Sequence, residues 1–108
     1  MKSAKANELI DKIIKDIEKN SVNVATLVPM LKELREMAKS ENDPLITRSI
    51  RLVYEHLEAK DGWEFQTLED SEEVEENLTY LMSLYLKSEN KYNRDEIREI
   101  ANNMTSAA

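Results

Sequence analysis

Apolar residues along this chain recur three and four positions apart, the spacing of a single helix face. In the first stretch Leu9, Ile10, Ile13, Ile14 and Ile17 form one stripe, and Asp11, Lys12, Lys15, Glu18 and Lys19 fall largely away from it. This predicts a helix from Ala4 to about Lys19, closed by the turn Asn20-Ser21-Val22-Asn23. A second stripe runs through Leu27, Leu31, Leu34 and Ala38, with Met30 and Met37 alongside. Pro29 constrains where this helix starts, because proline has no amide hydrogen to give to the preceding turn. Thr26 as the cap would put Pro29 in the first turn, where no bond is lost. Val22 and Val24 then pack as an irregular lead-in, and Ser40-Glu41-Asn42 ends the helix.

Asp43-Pro44 is the sharpest boundary. Proline pushes the residue before it out of the helical region, so Asp43 is placed to cap and Pro44 to open a helix. That third helix reaches about Lys60 on the stripe Ile46, Ile50, Val53 and Leu57, with Arg51 and Glu55 one turn apart on its outer face. Asp61-Gly62 stops it. Trp63-Glu64-Phe65-Gln66-Thr67-Leu68 alternates with period two but is too short and isolated for a stable strand, so it reads as a structured loop. A fourth helix is expected from Asp70 or Ser71 to about Ser88 on Val74, Leu78, Leu81, Met82 and Tyr85. A short fifth, capped by Asn93 with Glu96 three residues on, carries Ile97, Ile100, Ala101 and Met104 and frays over residues 105–108. The expected fold is all-α: one domain spanning 1–108, an antiparallel bundle of four longer helices plus a short C-terminal one.

Composition narrows function more than it defines it. At 108 residues and 12.6 kDa, folding buries roughly two-thirds of the extended chain's surface, enough for one core without staples. One glycine and two prolines leave little material for hairpin turns or phosphate-cradling loops. With no cysteine, there is no disulfide, cysteine-ligated zinc or thiol catalysis. A single histidine, His56, makes a multi-histidine metal site unavailable and a Ser–His triad improbable. His56 reads as a residue at the edge of the apolar stripe rather than a general base. No EF-hand spacing occurs, so no cofactor or metal is expected, and the chain reads as a non-enzyme.

The net charge is −7. It is carried almost wholly by the second half: residues 1–60 hold 11 basic and 10 acidic groups, residues 61–108 hold 4 and 12. Eight acids and no base lie between Asp61 and Leu78. Such a surface disfavours nucleic acid and anionic membranes. No apolar run is long enough to span a bilayer, and no signal-peptide core follows Met1. A cytoplasmic location is the expectation.

All six aromatic residues fall between Tyr54 and Tyr92, in the same half as the acids. Trp63 and Phe65 sit on the longest connection. Exposing both is costly, which favours a loop folded back to plug the bundle over one that anchors a partner. Tyr80 and Leu84 lie off the main stripe of the fourth helix, which implies either a second covered surface, a homodimer contact, or cover from the fifth helix and the Trp63 loop. The acids from Glu69 to Glu76 suit a solvated helix start favoured by the helix dipole; they also suit a basic protein partner. If the chain docks a partner, the residues expected to do so are Trp63, Phe65, Tyr80 and Leu84, with Glu69, Asp70, Glu72, Glu73 and Glu76 steering.

Two resemblances add expectations. Leu27-Val28-Pro29-Met30-Leu31 followed by Asp43-Pro44 and Arg48 resembles a HEAT-type helical hairpin over about residues 26–60, with its proline in the first helix and aspartate before the second. The resemblance implies a protein-binding scaffold. Pro44-Leu45-Ile46-Thr47-Arg48, with the stripe running on to Leu57, is similar to part of the small bacteriocin immunity proteins, helical bundles of comparable length. That likeness implies neutralisation of a toxin by binding. The leading expectation is a small, soluble, acidic, non-catalytic protein-interaction module, and the alternative is an immunity or antitoxin protein.

Overall fold

The computed structural model describes residues 1–107, with side chains through Ser106. Five helices are present: α1 Ala4–Asn20, α2 Val24–Ser40, α3 Pro44–Lys60, α4 Val74–Leu86 and α5 Lys91–Ala107. They pack in a closed ring. α1 lies between α2 and α4, α2 joins α3, α3 joins α5, and α5 returns to α4. The apolar stripes all face the middle of this ring. Ile10, Ile13, Ile17, Leu27, Leu34, Ile46, Ile50, Val53, Leu57, Leu81, Met82 and Ile97 lose all contact with solvent there. The same core takes in the Met1 side chain.

The molecule has two distinct ends. Short connections make α1–α2 and α2–α3 antiparallel hairpins. α1 and α4 are antiparallel too. The Met1 amino group donates to the carbonyls of Tyr85 (2.6 Å) and Leu86 (3.2 Å) at the close of α4, while Ser21, past the other end of α1, donates to Glu75 in the first turn of α4. A positive group at the C-terminal end of a helix meets the negative end of its dipole. α3 and α5 depart from the antiparallel pattern and start at the same end. Arg94 in the first turn of α5 makes a two-pronged bond, 2.8 and 3.1 Å, to the cap residue Asp43 of α3. Burial works to raise the Asp43 carboxyl, but the Arg94 bonds, the Ile46 amide and nearby positive charge together hold it below the usual carboxylate value.

Three helix starts differ from the sequence reading. α2 begins at Val24 rather than after Thr26, because the Asn23 carbonyl already accepts from the Thr26 and Leu27 amides. Pro29 is then inside the helix. Its missing bond leaves the Ala25 carbonyl free, and both residues are exposed, so water replaces what proline cannot give. α4 begins at Val74, not at Asp70 or Ser71, since side chains engage the backbone of residues 71–73. α5 begins at Lys91. Asn90, not Asn93, acts as the cap, accepting from the amides of Tyr92 (2.9 Å) and Asn93 (3.3 Å). The four longer helices have 17 residues each, and the shorter one, of 13, is α4 rather than the C-terminal helix. α5 stays helical through Ala107 and is fastened at Thr105, whose hydroxyl donates to Ala101 and accepts from Arg48. Of the expected frayed tail, residue 108 lies outside the described residues.

Among the described residues no helix is long and apolar enough to cross a membrane.

Candidate functional site: the acidic strip

The connection from α3 to α4, residues 61–73, is the longest in the fold and carries most of the residues singled out from the sequence. It opens at Asp61, which ends α3 in the left-handed conformation, a geometry that Asp and Asn tolerate better than most residues. The chain then turns back under the bundle. Trp63 is 3% exposed and packs edge-on against His56, ring centres 4.8 Å apart, and against Phe65 at 6.3 Å. The Trp63 indole Nε1 is buried and has no hydrogen-bond partner among the described residues. The loop is therefore a plug.

His56 serves that plug. Its Nε2 accepts from the Glu64 amide at 3.1 Å, which places the ring proton of the neutral form on Nδ1. Burial pulls the His56 pKa below its ordinary value, Lys60 adds to this, and Glu64 opposes it.

Beyond Phe65 the loop is organised by one buried side chain, Asn77. Its Oδ1 accepts from the amides of Thr67 (2.6 Å) and Leu68 (2.7 Å). Its Nδ2 donates to the carbonyls of Ser71 (3.0 Å) and Glu73 (2.8 Å). With the Thr67 hydroxyl at 3.2 Å, three donors meet the oxygen and two acceptors meet the nitrogen, so only this amide orientation satisfies the site. Gln66 adds a second tie, its Nε2 donating to the carbonyls of Leu68 and Ser71. Between them these two amides occupy loop carbonyls and amides that have no helix or strand partner, which is what an ordered loop requires.

The result is a strip of carboxylates carried on an ordered backbone. Glu69, Asp70, Glu72 and Glu73 are exposed. Glu76 accepts from Ser71 Oγ at 3.0 Å, and Glu75 accepts from Ser21, which lowers its pKa. Among the described residues no ion pair forms at any acid from Asp61 to Glu76. Beside the strip lies a cleft of about 260 Å³ bordered by Glu64, Glu72, Phe65 and Val74. Val74 is one of two large apolar residues left exposed.

The expected apolar patch is not assembled. Trp63 and Leu84 are core residues, Leu84 being 5% exposed. Phe65 and Tyr80 are half-buried and pack against the core. The Tyr80 hydroxyl donates to Glu96 of α5, and burial together with this carboxylate raises its pKa to about 12. α5 is longer than expected and covers the second side of α4, so Tyr80 and Leu84 find their partners within the chain. Of the nine residues proposed for docking, the five acids stand at the surface together, and Phe65 adjoins them.

Asn77 was not among the residues the sequence singled out. The available signal was an amide on the Val74–Leu78–Leu81 side of a helix, a polar group where burial demands partners.

No protein-family model, curated protein or solved structure matches this chain.

Proposed function

We propose that this chain is a non-catalytic protein-interaction module whose acidic strip, Glu69 to Glu76, docks a basic segment of a partner. The observation that supports this reading is the ordering by Asn77 of the backbone that carries these unpaired carboxylates. Acids meant only for solubility can lie anywhere on the surface. These sit on a loop whose backbone is already ordered, so a partner that binds them does not have to freeze the loop. Preorganisation of this kind lowers the entropic cost of association. The cleft between Glu72, Phe65 and Val74 suits the methylene stem of a lysine or arginine, with its charge at the carboxylate rim.

Charged rims act mainly on encounter rate and salt dependence. The test is titration of the intact chain with a fluorescent Lys/Arg-rich peptide at low and high salt. Binding is expected at low salt and is expected to weaken in Glu72→Gln/Glu73→Gln. An absence of binding at low salt, or binding unchanged in that variant, overturns the reading.

A further inference from the structure

The face opposite the strip in charge lies between α2 and α3. Arg35 and Lys39, one turn apart on α2, face Arg48 and Arg51 on α3 across a groove of about 490 Å³, with Asn42, Asp43, Pro44 and Thr47 along its length, and the Asp43 carboxylate is held there by Arg94. The Lys39 ammonium reaches Glu36 of its own helix at 3.4 Å. Arg48 donates only to the neutral Thr105 hydroxyl, at 2.9 Å. Among the described residues no carboxylate pairs with Arg35, Arg48 or Arg51. Arg35 Nε is buried and unpartnered as well. In a chain with 22 acids and 15 bases, three arginines that border one groove with no carboxylate paired to them, beside an Asp43 already taken by Arg94, form an arrangement that calls for an anionic occupant. Guanidinium forks match carboxylates two bonds at a time.

From this groove we infer a binding site for the acidic strip of a second copy of the chain, so that copies associate head to tail. The inference rests on the reading of the strip as a docking element and names its partner. Charge complementarity carries it: Arg35, Arg48 and Arg51 line the groove with no carboxylate paired to them among the described residues, and Glu69, Asp70, Glu72 and Glu73 are exposed carboxylates. Gln66 Nε2 reaches the carbonyls of Leu68, Glu69 and Ser71 together, so the strip meets the groove as a compact turn rather than as an extended strand. The strip cannot reach its own groove. The groove lies toward the end where Lys2 and Ser3 donate to Glu41 and Met1 meets the close of α4, while the strip lies at the end where Ser21 meets Glu75. α1 separates these ends by about 25 Å. A contact between two different faces is heterologous, and it builds rings or open chains rather than a closed two-fold dimer.

The test is sedimentation velocity over a concentration series of the intact chain. At about 0.02 M salt, concentration-dependent association is expected, and at about 0.5 M salt, where screening shortens to a few Å, it is expected to disappear. Arg35→Gln/Arg51→Gln and Glu72→Gln/Glu73→Gln should each be monomeric on their own, with unchanged helical circular dichroism. Mixed in equal amounts they should form a 1:1 dimer and nothing larger, since the mixture holds one intact groove and one intact strip per pair. A wild-type chain that stays monomeric at low salt overturns the inference, as does association that neither variant weakens. Titrating that monomer with the Lys/Arg-rich peptide separates the two failures. Peptide binding leaves the strip as a docking element for a foreign basic partner, and no peptide binding removes both readings.

Discussion

Asn77→Ala tests the claim that one amide orders the acidic strip. The substitution deletes five hydrogen bonds, two to Thr67 and one each to Leu68, Ser71 and Glu73. A typical bond contributes about 1 kcal/mol net, and a buried group left unpaired costs about 1–3 kcal/mol. The Asn77 side chain is 3% exposed, but the backbone groups it serves lie in a half-buried loop where water can replace some partners. The expected loss is thus about 2–4 kcal/mol, below the sum of five full penalties. For a chain of this size each kcal/mol moves the melting temperature by about 4 °C, so thermal unfolding should shift down by about 8–16 °C. Hydrogen exchange at Thr67 and Leu68 should rise more than at core amides such as Ile50. Asn77→Asp is the sharper variant. It keeps the acceptor for Thr67 and Leu68 but turns a carboxylate toward the Ser71 and Glu73 carbonyls. At neutral pH it should destabilise at least as much as alanine, and it should recover part of the loss in acid, where a protonated carboxyl regains one donor. A melting temperature within about 2 °C of wild type for Asn77→Ala, or an aspartate variant as stable as wild type, would refute the reasoning.

Three further outcomes follow from the same geometry. The Ser49 and Tyr85 hydroxyls share one buried bond of 2.6 Å; Ser49→Ala strands the fully buried phenol and should cost about 1–3 kcal/mol, whereas Tyr85→Phe should cost less because Ser49 can turn to its own helix carbonyl. Denaturant melts of the double-mutant cycle check this, and a double variant no better than the sum of the singles would count against it. Trp63 emission should be blue-shifted and resistant to a neutral quencher at every protein concentration, since the ring is 3% exposed. His56 titrates below 6.5 in the folded chain, so the unfolded chain takes the proton first and stability falls as pH drops from about 6.5 through the folded value; thermal melts across that window should show the fall in wild type and a flatter profile in His56→Gln, with an equal slope in both as the contrary result.

The stripes of α1, α2 and α3 could be read from the chain because their apolar spacing is local and a single face is buried. The Asp43-Pro44 start could be read for the same reason: its cap acts within three residues, Asp43 accepting from the Ile46 amide. The starts of α4 and α5 could not. Ser71 and Glu73 are held by a side chain from the next helix, and Asn90 caps a residue pattern in which Asn93 is an equally good cap by composition. Pro29 misled in the opposite direction. Its cost depends on whether Ala25 faces water, a matter of tertiary placement rather than of sequence distance.

The candidate site divides along the same line. Acidity is a sum and survives without coordinates, so the clustering of Glu69, Asp70, Glu72, Glu73 and Glu76 at the surface could be read from the chain. Burial is a competition between faces: Trp63 is buried as the favoured plug reading expects, and Leu84, offered as a docking residue, is core as well. The arginine groove was hidden by averaging. Residues 1–60 are close to neutral as a block, yet Arg35 and Lys39 at i,i+4 and Arg48 and Arg51 at i,i+3 each lie along one side of their helix. The hairpin turns those two sides toward each other, and Asp43, the acid that borders the groove, is already bound by Arg94 from α5. A near-zero sum in sequence thus becomes a strong local field in space, because one long-range ion pair removes the carboxylate that would have neutralised it.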